Sequence, residues 1–71
     1  MQWNPVVSSN IEALKLEGHE LSVKFKTGVI YVYQNVTPEL FQQVVSAESV
    51  GKAFISLIRS KVGEHPFTIS S

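Results

Sequence analysis

The stretch that decides the fold is LSVKFKTGVIYVY, residues 21–33. Its first half alternates: Leu21, Val23 and Phe25 are apolar, and Ser22, Lys24 and Lys26 are polar. That is the pattern of a strand with one face in the core. Its second half does not alternate, because Val29, Ile30, Tyr31, Val32 and Tyr33 are all apolar or aromatic. The turn between the halves therefore has to choose the inner face. A two-residue turn at Thr27-Gly28 would demand a positive φ from a β-branched residue, which resists it. A three-residue loop, Lys26-Thr27-Gly28, with glycine in the left-handed position, avoids the strain. It sets Phe25 opposite Val29, Val23 opposite Tyr31 and Leu21 opposite Tyr33. Both tyrosines then face the core, and Ile30 and Val32 share the far face with Ser22, Lys24 and Lys26. A register slipped by one residue would turn both tyrosines outward with the lysines.

Upstream, EALKLE (residues 12–17) carries Leu14 and Leu16 on one face. Gly18-His19 suits a two-residue type II′ turn, with glycine first. Leu16 then meets Leu21 and Leu14 meets Val23, which keeps the leucines inward. The lead-in, MQWNPVVSSN, reads as extended. Its Trp3 is too apolar to be left in water and should dock on the body or on a partner.

Downstream, Thr37-Pro38-Glu39 starts a helix with an N-cap, a proline at the first position and an acid near the positive end of the dipole. Leu40, Phe41, Val44, Val45 and Ala47 lie on one side of it. Ser49 caps a second helix, in which Val50, Ala53, Phe54, Leu57 and Ile58 form an apolar arc. Lys52, Ser56 and Arg59 fall on its opposite face, and Gly63 should end it. The tail PFTISS (residues 66–71) is a short strand or a loose end. The expected fold class is α+β: a three-stranded antiparallel meander followed by two helices on one sheet face, β-β-β-α-α. It forms a single domain over residues 1–71.

Composition narrows the function. The 71 residues hold no cysteine and only two histidines, His19 and His65, so neither a disulfide nor a structural zinc site is expected. Six basic residues balance six acidic ones, all of them Glu. A protein that grips nucleic acid chiefly through phosphates carries a basic surplus, so such a role here needs a local patch. No secretory signal or run of ~20 apolar residues is seen, so a cytoplasmic location is expected. With no Asp, no Cys and no recognisable pair of Glu, no catalytic residue, cofactor or metal is assigned.

Several of these residues taken in order resemble the KTSC family, named for the C-terminal extension of some bacterial lysyl-tRNA synthetases. The resemblance runs from about Trp3 to about Arg59. It rests on Ser8-Ser9, Ile11, Phe25, Gly28, the Tyr31-x-Tyr33 pair, Pro38, Ser49, Gly51, Phe54, Ile58 and Arg59. It implies a small module, stand-alone in many bacteria and phages, for which the tRNA-synthetase context points to RNA. Two positions depart from the family's pattern: Val32 stands where relatives often carry a polar residue, and Ile55 where many have Asn. Both favour contact with protein.

Three candidate surfaces follow. Tyr31 and Tyr33 either pack beneath the helices, as the turn argument favours, or form a stacking platform for bases with Lys24 and Lys26 on the phosphates. Ser49, Gly51 and Lys52, with Arg59, could seat a phosphate at a helix N-terminus. The plainer alternative is an ordinary cap and a solvated cationic stripe. Ile30 and Val32 make a partly apolar patch, either open to a partner or covered by Trp3. The expected function is noncatalytic binding of a protein partner or of a second copy, as a homodimer or a bacterial or phage accessory factor. The alternative is binding of RNA or another single strand.

Overall fold

The computed structural model describes residues 3–61 and 63–69. Its elements are β1 (Asn4–Pro5), β2 (Ile11–Glu17), β3 (Glu20–Phe25), β4 (Ile30–Tyr33), α1 (Pro38–Val45), α2 (Val50–Leu57), a 3-10 turn (Arg59–Lys61) and β5 (Phe67–Ile69). The class is α+β, but the sheet has five strands, in the order β1-β2-β3-β4-β5, where the sequence pointed to three. The two added strands come from the lead-in and from the tail. Both pair antiparallel to their neighbours, β1 with β2 and β5 with β4. Residues 70 and 71 of the tail lie outside the described residues.

Both hairpins keep the register that their turns dictate. Leu16 lies opposite Leu21 and Leu14 opposite Val23, and of the two turn residues only Gly18 has a positive φ. In the second hairpin Val23 pairs with Tyr31 and Leu21 with Tyr33. The Phe25 amide donates to the Val29 carbonyl at 3.0 Å. Gly28 sits at φ +94°, a value that an L side chain strains to adopt. Alternation fails at one place. Between Ile11 and Ala13 a bulge inserts Glu12, so Ile11 pairs with Phe25, Ala13 with Lys24 and Leu14 with Val23. Ile11 and Leu14 therefore both reach the core.

The helices lie over the face that carries Leu14, Leu21, Val23 and Tyr33. Thr37 caps α1, its hydroxyl accepting from the Leu40 amide at 3.2 Å, and Ser49 caps α2 by accepting from Lys52 at 3.4 Å. Phe41 and Val44 from α1, and Val50, Phe54 and Ile58 from α2 and its C-cap, are buried against the sheet. Full burial of each such side chain stabilises the fold by roughly 1.5–3 kcal/mol. The second helix stops earlier than Gly63. At Ile58 the backbone turns to φ −123° and ψ −58°, which drives that side chain into the core and breaks the helical progression.

The link from β4 to α1 is held by the segment before β5 and by the turn between β2 and β3. Gln34 N–H donates to Pro66 O at 2.9 Å, Asn35 Nδ2 donates to Glu64 O at 3.2 Å, and Val36 N–H donates to His19 O at 2.9 Å. Asn35 itself takes φ +60°, a conformation asparagine tolerates better than most residues. His65, just before the tail, is buried, with Nδ1 3.1 Å from Gln34 O.

Candidate functional site: an aromatic groove with a cationic rim

The helices do not cover the whole inner face. Beyond Phe54 a groove of about 660 Å³ stays open over β4 and β5. Its aromatic walls come from Phe25, Tyr31, Tyr33 and Phe67, and its rim includes Asn10, Lys26 and Arg59. The rings form one cluster. Tyr31 stacks on Phe67 at 5.1 Å between centroids and 29° between planes. Phe25 meets Tyr31 edge-on at 5.4 Å, and Phe54 meets Tyr33 edge-on at 5.3 Å. Offset and edge-on arrangements of this kind add to the energy of burial and hold each ring in place.

The paired tyrosines have separate roles. Tyr33 is buried beneath α2. Burial pushes its phenol above the ordinary tyrosine value, the nearby Arg59 guanidinium pulls it down, and Tyr31 adds to the rise. Tyr31 is half-buried, with part of its surface in the groove. Both rings line the groove, Tyr33 as a core residue with almost no exposed surface and Tyr31 as the more open of the two.

The cations are likewise divided. Lys24 lies on the far face, opposite Ile30, and its Nζ is 3.5 Å from Glu12 Oε2. Lys26 does not stay with it, as strict alternation would require. The strand ends at Phe25, the Lys26 amide donates to Asn10 O at 2.9 Å, and the side chain borders the groove. Arg59 lies in the 3-10 turn, so the break at Ile58 takes it off the helical face that it would have shared with Lys52. Arg59 and Lys26 instead line one groove, and neither makes an ion pair with the described residues.

At the start of α2, the phosphate seat expected from the sequence, two hydroxyls of the chain itself lie close by. Ser49 Oγ occupies the cap, and a Cβ at Gly51 would lie 3.1 Å from Ser8 Oγ. That hydroxyl faces the Asn10 and Ile11 amides, at 3.3 and 3.4 Å. Gly51 admits the lead-in loop, and Lys52 remains an exposed residue apart from the groove. On the far face Ile30 and Val32 are half-buried. Trp3 does not cover them. It precedes the Asn4–Leu14 pair at the β1 edge, with Lys15 Nζ 4.8 Å from its ring centre, while Ile30 and Val32 sit on β4. Ile55 is 45% exposed on α2. Among the described residues no group of three or more potential ligands gathers to hold a metal, and no helix is long and apolar enough to cross a membrane.

The sequence missed Phe67, which completes the aromatic wall. Its only local signal was a three-residue apolar alternation in the tail.

The model of the KTSC domain family matches residues 7–61. The chain belongs to the KTSC domain family. A protein from Tsukamurella paurometabola is 36% identical over 59 residues, covering 80% of this chain and 88% of its own. The crystal structure of a KTSC domain protein from Yersinia pestis superposes with a TM-score of 0.85 at 27% identity, over 99% of this chain and 97% of that one. The groove gathers Ser9, Phe25, Tyr31, Tyr33 and Arg59, five of the residues that carried the KTSC resemblance in the sequence.

Proposed function

We propose that this KTSC domain is a noncatalytic binding module that holds a short single-stranded stretch of RNA in the aromatic groove. The observation that carries this reading is the union, in one open site, of partly exposed aromatic surface with two cations that no carboxylate among the described residues neutralises. A nucleotide offers the complement of both: a flat base and a phosphate. Base stacking on an aromatic side chain contributes about 1–3 kcal/mol, and cations nearby add an electrostatic share that salt weakens. The zero net charge fits a site that takes a few nucleotides and does not track a long backbone. The location that goes with this reading is cytoplasmic.

Titration with tRNA and with short single-stranded RNA at low and moderate salt tests it. Affinity should fall with salt, and Tyr31→Ala, Lys26→Glu and Arg59→Glu should each weaken it. Lys24→Glu, on the far face, should not. Absence of binding at low salt, or equal loss from Lys24→Glu, would end the proposal.

A further inference from the structure

The two edges of the sheet differ in their free hydrogen-bonding groups. In an antiparallel ladder, alternate residues direct N–H and C=O toward the same neighbour. Gln34 N–H bonds to Pro66 O, so Gln34–Pro66 and, two residues on, Val32–Thr68 are the bonded pairs between β4 and β5. By the same alternation Phe67 and Ile69 point their N–H and C=O outward, away from β4. Their side chains lie on the groove side of the sheet and are 41% and 60% exposed. At the opposite edge, Val6 N–H bonds to Glu12 O, so Asn4 faces β2 and Pro5 faces outward. Pro5 has no N–H to offer. Proline, charge and bulges are the usual means of blunting a sheet edge. The β1 edge has the first of these, and β5, Phe-Thr-Ile, has none.

We infer that β5 is a self-pairing edge, at which a second copy of this chain adds its own β5 antiparallel across a two-fold axis at Thr68. The sequence of β5 is complementary to itself in this register. Phe67 lies opposite the second copy's Ile69, and Thr68 lies opposite its counterpart. The outward groups of Phe67 and Ile69 then form two bonded pairs, four hydrogen bonds in all, and every apolar side chain on the groove side meets another apolar one. No charged residue stands on the strand, and the chain's net charge is zero, so no charge repulsion arises between the paired strands themselves. The two-fold axis runs normal to the sheet, which puts both helical layers on the same side. The interface is isologous and closes as a dimer. This inference stands apart from the RNA reading, although it would set the two grooves side by side.

Light scattering or sedimentation of the full chain over a wide concentration range, together with amide hydrogen exchange, tests it. The mass should rise from one chain toward two. Over the same range the Phe67 and Ile69 amides should pass from fast to slow exchange, whereas Thr68, bonded to β4, should be slow throughout. Ile69→Lys, at an exposed position, should hold the chain as a folded monomer, and Val32→Glu on the far face should leave the dimer intact. A wild-type chain that stays monomeric, whether bare or with an added extended peptide along β5, overturns the inference. So does a dimer that dissolves with Val32→Glu but survives Ile69→Lys, and so does a dimer in which the Phe67 and Ile69 amides remain fast.

Discussion

The two faces of the sheet carry similar side-chain types to different ends. On the far face, each lysine on a strand has a carboxylate within reach: Lys15 Nζ is 3.3 Å from Glu17 Oε1, and Lys24 Nζ is 3.5 Å from Glu12 Oε2. Lys15 also lies over Trp3. On the helix side, Lys26 and Arg59 border a partly exposed aromatic cluster and meet no carboxylate among the described residues. Charge on the far face is paired internally, and charge at the groove has no carboxylate partner among the described residues. The lesson is that a count of lysines in a neutral chain hides which of them are paired and which are not.

The sharpest way to break this contrast is at Tyr33. Tyr33→Ala removes a buried ring in contact with Phe54, and it should cost about 3–5 kcal/mol in denaturant unfolding, as large aromatic truncations do. Its across-sheet neighbour in sequence, Val32, is half-buried, and Val32→Ala should cost far less. Equal losses would mean that the faces are reversed. Next in size is Tyr31→Ala, which should reduce RNA affinity by roughly 1–3 kcal/mol in the titration while reducing stability less than Tyr33→Ala does.

A pH series sharpens the comparison further. Burial favours the neutral Tyr33 phenol, so the folded protein keeps that proton to higher pH than the unfolded chain. The resulting stability is complete below the ordinary tyrosine value and is lost as pH rises through the raised folded value. Unfolding should therefore become easier in that alkaline window, and Tyr33→Phe should flatten the dependence. The smallest effect belongs to the far face. Glu12→Gln breaks a partly exposed pair with Lys24 and should change stability by only about 0.2–1 kcal/mol, less in high salt. A larger effect would show that the far face carries structural weight that exposure does not reveal.

Local chemistry made the central meander and both helix starts legible. Gly28 sets the three-residue loop, the loop sets the register, and Thr37 and Ser49 mark their caps by residue type alone. The remainder depends on partners distant in the chain. Pro5 argues locally against a strand, and β1 exists because β2 supplies a ladder for it. The Phe67–Ile69 alternation is too short to be read as a strand until β4 lies beside it. The groove was hidden for the same reason. Lys26 leaves the outward set because the strand ends one residue earlier, and Arg59 leaves the helical face because Ile58 turns into the core. Neither break has a periodic signature. Val32 and Ile55, which the resemblance in the sequence singled out, sit at a half-buried and an exposed position away from the groove rim.

The helical excursion between β4 and β5 has a kinetic consequence. Strands β2, β3 and β4 are joined by tight turns and can zip together quickly. The last strand must wait until residues 34–66 have folded back, a closure whose entropic cost grows with loop length. Until then β4 is the outermost strand of an incomplete sheet, with the backbone of Ile30 and Val32 bare. During refolding, then, a transient intermediate would display an unfinished ladder, and crowding at that moment would favour entanglement between molecules over completion within one.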